Sequence, residues 1–220
     1  MRVLSTGWLW LSLGVIAAGI LCFRILAPRF TNPNTLATIP DLSVTSPLNQ
    51  PGGGDVPPEA YEIYSALYQQ PQQEPLAFAE ESRTDIPQVN GSCLKPSTPQ
   101  EHEMSDSFVA ANQQSHRWAK KFTIPAAYLL LSQSATAKAL DCLAGGGKNG
   151  VDCGVYRSLR HVRYLGVPGF DRAHDRALVS VEKMCGMQCG SGGVFEVKKA
   201  GSAWVRAEPN DFTRECSWMY

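Results

Sequence analysis

The stretch ALVSVEKMCGMQCGSGGVFEVKKAGSAWVRAE, residues 177–208, contains three runs of strand-forming residues separated by glycine-rich turns. Within residues 177–182 every second side chain is Ala or Val, and this period of two is typical of a β-strand. A second run follows the glycines of the CGSGG segment, and a third follows Ala200 and Gly201. Upstream, HVRYLGV at 161–167 leads through the turn-like PGFDRAHDR segment into the first run. The stretch therefore predicts an antiparallel meander at the end of the chain.

The segment CGMQCGSGG, residues 185–193, fits a redox couple, half of a metal site, an anion-binding loop or a stapled turn. In an extended strand the Cα atoms of Cys185 and Cys189 would lie about 13 Å apart, whereas a disulfide needs less than about 7 Å. Pairing them requires a turn, and the neighbouring glycines supply the backbone freedom for one. A redox dithiol usually sits at a helix N-terminus, and the nearby His161 and His174 lack zinc-finger spacing. The pattern favours a disulfide-stapled turn, with no metal and no cofactor.

The remaining cysteines suggest two further pairs. Cys142 and Cys153 enclose the glycine-rich LAGGGKNGVD segment, which departs from the phosphate-loop template because Lys148 is followed by Asn149. This loop is interpreted as closed by a disulfide. Cys93 and Cys216 are then left to pair, in one of the fifteen connectivities that six cysteines allow.

Helices are predicted in the first half of the folded part. PEAYEIYSALYQQ, from Pro58, places apolar residues on one helical face, and its tyrosines are interpreted as core residues. A second helix is predicted over residues 98–118, because Thr98 and Glu101 have capping-box spacing with Pro99 between them. Strands are expected in PLAFAEES at 75–82 and AAYLLLSQS at 126–134, followed by a helical turn in ATAKALDCL. The predicted fold is α+β: one antiparallel sheet with two or more helices on one face.

The N-terminal segment is apolar and uncharged from Val3 to Phe23, between Arg2 and Arg24. Such a helix is long enough to span a membrane, so residues 1–26 are predicted to be a transmembrane or signal-anchor helix, the alternative being a cleaved signal peptide. Residues 27–57 are rich in Pro, Asn, Thr, Ser and Gly and are expected to form a disordered linker. Residues 58–220 are expected to form the folded domain.

Charge and cysteine content limit the function classes. The chain has 220 residues, with 20 Lys plus Arg and 20 Asp plus Glu. Because these charges balance, the chain has no net positive charge that would favour binding to nucleic acid. Apart from Cys22 in the apolar segment, the cysteines are even in number, which favours pairing in an oxidising compartment. The domain is therefore expected outside the cytoplasm, periplasmic or extracellular, and secreted if the N-terminal segment is cleaved.

Catalytic candidates are weak. His102 and His116, if both lie on the second helix, are fourteen residues apart and on nearly the same face, but no nucleophile elbow or cysteine-protease signature accompanies them. The RHVRY segment at 160–164 is interpreted as the solvent face of a strand, with an anionic lipid or glycan surface as the functional alternative.

The segment from Val167 to Trp204 resembles the C-terminal signature of a loosely defined group of small exported or membrane-anchored bacterial proteins. The shared features are a Gly-Phe turn, an Ala-Leu-Val strand, a CG..CG.GG loop, a basic pair and a closing Trp. The resemblance implies an exported or anchored protein and no particular activity.

The sequence thus predicts a membrane-tethered domain that binds an envelope protein, a glycan or a lipid. The competing hypothesis is a small hydrolase or transferase with a His/Asp pocket between the second helix and the sheet.

Overall fold

The computed structural model describes residues 55–71, 74–84, 93–145, 152–186, 189–210, 212–214 and 216–219. The predicted anchor and nearly all of the predicted linker lie outside these ranges, as does the GGKNGV segment at 146–151. Within the described ranges, no helix combines the length and the apolar character that crossing a bilayer requires. Val56, placed in the linker by sequence, is buried in the core.

The described residues form one mixed sheet with a few helices, and strands predominate. The strands are β1 Leu76–Ala79, β2 Tyr128–Leu131, β3 Val162–Leu165, β4 Gly169–Phe170, β5 Arg176–Met184, β6 Gly190–Ala200, β7 Ala203–Arg206 and β8 Ser217–Met219. Their order across the sheet is β2-β1-β3-β5-β6-β7, with β4 beside β5 and β8 beside β6. The helices are α1 Pro58–Leu67, α2 Pro99–Ala111 and α3 Gln133–Leu143, with a 3₁₀ helix at Gly154–Ser158.

The C-terminal strands pair as an antiparallel meander. β3 pairs with β5, β5 with β6 and β6 with β7, all antiparallel. β5 and β6 stay in register from Arg176 opposite Lys198 to Met184 opposite Gly190. The turn between β6 and β7 contains Gly201 at φ +65°. This backbone conformation is sterically unfavourable for a residue with a Cβ, whereas glycine adopts it readily.

The expectation of a wholly antiparallel sheet is wrong, because β1 runs parallel to both neighbours. Leu76 lies opposite Tyr128 on β2, and Phe78 lies opposite Arg163 on β3. Parallel neighbours need a long crossover connection, and the chain between β1 and β2 includes all of α2. Alternation within a strand does not indicate the direction of its partner.

Helices cover both faces of the sheet, not one as the sequence predicted. The first face carries Phe78, Leu165, Val179 and Val197 and packs against α1, Trp118 and Phe122. On the second face, Leu178 and Val194 pack against Met104 and Phe108 of α2, and Ala77, Leu131 and Val162 pack against α3 and the 3₁₀ helix. Both faces need cover because strands such as β5 have buried apolar residues at successive positions.

The start of α2 is as predicted, but its end is not. The Thr98 side chain accepts from the Glu101 amide while the Glu101 carboxylate accepts from the Thr98 amide, forming the capping box. The helix ends at Ala111, seven residues before the predicted Trp118. Trp118 still reaches the core, where it is 1% exposed and its indole N–H donates to the Leu165 carbonyl at 3.2 Å.

Candidate functional site

A cavity of about 540 Å³ lies between α1, the segment 121–123 and the turn that joins β6 to β7. Its lining combines apolar and polar side chains from these regions and from residues next to them: Val56, Pro58, Tyr61, Glu62, Ser65, Ala66, Gln69, Lys121, Thr123, Ser202, Ala203 and Trp204. Its volume falls within the range of roughly 300–1,000 Å³ that small-molecule sites usually have. It is the best candidate for a binding site among the described residues.

One wall of the cavity is held in place by hydrogen bonds from α1. The Tyr61 hydroxyl accepts from the Ala119 amide at 2.9 Å, and the Ser65 hydroxyl accepts from the Thr123 amide at 2.8 Å. The Gln69 side-chain amide donates to the Thr123 carbonyl at 2.8 Å. Tyr61 and Ser65 are one helical turn apart on the same side of α1, and Gln69 lies just beyond the end of that helix, so the three side chains fix the 119–123 segment against this part of the chain. The wall is therefore built before any ligand arrives.

The opposite wall is formed by Trp204 of β7. The residue is 5% exposed, and the ammonium of Lys199 lies 5.1 Å from the centre of its ring. Phe170 meets the Trp204 ring edge to face at 6.1 Å, and the His174 ring stacks on Phe170 at 4.8 Å. The aromatic contacts make this wall stiff, because each ring is held by another ring or by a cation.

The cavity has balanced charge. Glu62 and Lys121 are its two charged lining residues in the described part of the chain, and both are exposed. The Lys121 ammonium lies 5.6 Å from the centre of the Tyr61 ring. The hydroxyls of Tyr61 and Ser65 each accept a backbone amide, which leaves each hydroxyl proton available to donate. The arrangement suits a ligand that is neutral or zwitterionic overall and carries hydrogen-bond acceptors.

Arg163 is buried and paired with Glu74, so the interpretation of the RHVRY segment as a solvent-facing basic patch is wrong for this residue, whereas Arg160 of the same segment is exposed. Arg163 is 3% exposed and donates to Glu74 at 3.0 Å. Glu74 also meets His161 at 3.4 Å and Arg160 at 3.6 Å. Burial would raise the pKa of Glu74, but the hydrogen bonds from Arg163 and His161 outweigh it, so the pKa lies below its usual range. Burial also raises the pKa of Tyr68 to about 12, an effect that neighbouring Arg163 partly offsets.

The two candidate catalytic histidines do not share a helix face. His102 is exposed on α2, whereas His116 lies beyond the end of that helix and is buried. The Nε2 atom of His116 is 2.8 Å from the Ala111 carbonyl oxygen, so the ring fastens the chain after α2. The predicted pairing of these histidines on one stripe is therefore wrong.

The cysteines form three disulfides, and the pairs are those favoured by the sequence. The Cα atoms are 5.0 Å apart for Cys93–Cys216, 5.7 Å for Cys142–Cys153 and 5.2 Å for Cys185–Cys189. In the last pair the Cys185 amide also donates to the Cys189 carbonyl, which closes the turn between β5 and β6. No group of three metal-ligating side chains occurs within the described ranges. Disulfides of this kind form in oxidising compartments.

Comparison of the chain with protein-family models, with curated proteins and with solved structures gives no match.

The cavity residues were not identified from sequence, apart from the prediction that the tyrosines of α1 are buried, which is confirmed. The lining of the cavity comes from segments up to 148 positions apart, from Val56 to Trp204. No local motif marks such a site.

Proposed function

We propose that this chain is a binding module of the cell envelope, held at the membrane by its N-terminal segment, which takes a small polar ligand in the α1 cavity. The observation that carries the proposal is the preformed cavity with one acidic and one basic side chain. The disulfides favour a location outside the cytoplasm, in the periplasm or the extracellular space. The proposed ligands are envelope molecules: a glycan, a zwitterionic lipid headgroup or a segment of an envelope protein.

The lining supports binding by shape and hydrogen bonding. Tyr61 and Ser65 present hydroxyl protons, Gln69 presents a side-chain carbonyl, and Lys121 and Glu62 place opposite charges at the rim. A polyanion would be attracted by Lys121 but repelled by Glu62, so nucleic acid does not suit this cavity.

Binding is testable with the full chain and three probes: a chitin-type oligosaccharide, the dipeptide D-alanyl-D-alanine, and phosphatidylethanolamine vesicles. We expect one probe to bind in calorimetry and to change the tryptophan fluorescence of the chain, to which Trp204 contributes. Replacing Ser202 by Trp, at an exposed position of the lining, should block that binding, whereas Ser134→Trp, at an exposed position of α3, should not. Lys121→Met should weaken binding, and the adjacent exposed Lys120→Met serves as its matched control. Absence of binding by all three probes, or equal binding by the Ser202 and Ser134 variants, would contradict the proposal.

Topology is tested separately. Alkaline phosphatase fused after Tyr220 is active only outside the cytoplasm, because its own disulfides must form there. An active fusion is expected, and an inactive one beside an active cytoplasmic reporter would reject the proposed location.

A further inference from the structure

The outer edge of β2 presents unpaired backbone groups. β2 is the terminal strand of the sheet and pairs only with β1 among the described strands. The Glu80 amide donates to the Leu131 carbonyl at 2.8 Å, so the backbone groups of Leu131 point towards β1. Successive residues of a strand direct these groups alternately to its two sides, so Leu129 also points towards β1 and Tyr128 and Leu130 point outward. No described residue hydrogen bonds to these outward groups.

This edge carries no charged residue that would oppose strand pairing. Natural edge strands are commonly guarded by charged residues, especially Lys, or by Pro. The chain carries no charge from Phe122 to Ala137, between Lys121 and Lys138, and Pro125 lies before the strand. β7, at the other end of the strand order, instead ends in the exposed Arg206. The side chains of Tyr128, Leu129 and Leu130 are only half-buried, so the edge is accessible.

We propose that β2 is a homodimerisation edge, which pairs antiparallel with β2 of a second copy of this chain around a two-fold axis at Leu129. In that register Tyr128 of each copy lies opposite Leu130 of the other, and these are the residues whose N–H and C=O groups point outward. Every outward group within the paired segment gains a partner.

The charge pattern favours a second copy over an unrelated strand. The facing segments are identical and uncharged, so no like charges meet. On one face Tyr128 of each copy meets Leu130 of the other, and on the opposite face Leu129 meets Leu129. A strand of four residues gives few backbone hydrogen bonds, so the dimer is expected to be weak and concentration-dependent.

Disulfide trapping tests both the dimer and its register. Residue 129 would face itself as a non-hydrogen-bonded pair, with Cβ atoms about 4.5–5.5 Å apart, which is close to the separation that a disulfide requires. In a full-length Cys22→Ser background, Leu129→Cys should therefore form a covalent dimer on aerobic incubation. Leu130→Cys is the register control, because it would face Tyr128, and Val205→Cys is the control at an exposed position on β7.

We expect trapping of Leu129→Cys to be at least about tenfold faster than that of either control, because pairing raises the effective thiol concentration at that position alone. Equal trapping of Leu129→Cys and Leu130→Cys would indicate random collision and overturn the proposal. A wild-type chain that sediments as a monomer up to the highest concentration at which it stays soluble would overturn it independently of any substitution.

Discussion

The side chain of Asn112 replaces a strand partner for Val167. Its amide nitrogen donates to the Val167 carbonyl at 2.8 Å, and its oxygen accepts from the Val167 amide at 2.9 Å. The same nitrogen donates to the Phe108 carbonyl at 2.8 Å, at the end of α2. Asn112 is 1% exposed, so these groups have no access to bulk water. One side chain thus joins the end of a helix to the chain between β3 and β4.

Replacing Asn112 by Ala should be strongly destabilising. The change leaves the buried amide and carbonyl of Val167 without partners, and each unsatisfied group costs about 1–3 kcal/mol. We expect the free energy of unfolding, measured in urea, to fall by about 3 kcal/mol. The neighbouring exposed Gln113→Ala is the control and should change it by less than about 0.5 kcal/mol. Similar values for the two variants would show that the Asn112 bridge is unimportant.

Gly169 is expected to tolerate no side chain. A Cβ at this position would lie 2.1 Å from the backbone nitrogen of Phe108, so an Ala side chain would force α2 away from β4. At Gly192 a Cβ would meet the half-buried indole of Trp218 at 2.4 Å, so a side chain and not a helix backbone would have to move. Gly169→Ala should therefore lower the melting temperature more than Gly192→Ala does, by an overpacking cost of about 3 kcal/mol or more. The reverse order in a calorimetric melt would contradict this close packing.

Stability at acid pH should depend on Glu101. Burial raises the pKa of its carboxyl, but the hydrogen bonds from Ser97 and Thr98 outweigh that effect, so the folded-state pKa lies below the unfolded value. A depressed pKa means that the stabilisation is complete above the unfolded pKa of about 4.3 and is lost as the pH falls through the folded pKa.

Glu101→Gln removes this titration. We expect the free energy of unfolding of the variant to lie below that of the wild type at neutral pH and to fall less steeply below about pH 4.3. Glu62→Gln, at an exposed position of α1, is the control. Parallel pH profiles for Glu101→Gln and the wild type would rule out a contribution from the capping box.

The disulfides should differ in their contribution to stability. The Cys185–Cys189 pair spans 4 positions, whereas Cys93–Cys216 spans 123. On the chain-entropy account the short loop contributes about 2 kcal/mol and the long one about 5 kcal/mol. The double change of Cys185 and Cys189 to Ala should therefore lower the melting temperature by only a few degrees, and that of Cys93 and Cys216 by clearly more. Equal shifts would contradict the entropic ranking.

Features that depend on neighbours in the chain were predictable. The capping box of Thr98 and Glu101, the strand at 75–82 and the turn at Gly201 each depend on contacts within a few residues, so their patterns identify them. The cysteine pairs were also anticipated, two of them because the partners lie close in sequence.

The last third of the predicted α2, residues 112–118, makes distant contacts instead of continuing the helix. Residues 112–118 continue a plausible helical stripe, yet the buried hydrogen bonds of Asn112 to Val167 and of Trp118 to Leu165 are made by a non-helical segment instead. The periodicity of a segment reports only on contacts between residues close in the chain. It therefore cannot predict hydrogen bonds to residues some fifty positions away.

By itself the sequence determined the local elements and the antiparallel C-terminal meander, because strand alternation, helix capping and turn formation involve residues close along the chain. Only the tertiary structure decided that β1 runs parallel to its neighbours, that helices cover both faces, and that Trp204 meets α1 across a cavity. These outcomes depend on which apolar surfaces are buried together, and burial is a non-directional interaction between segments far apart in sequence.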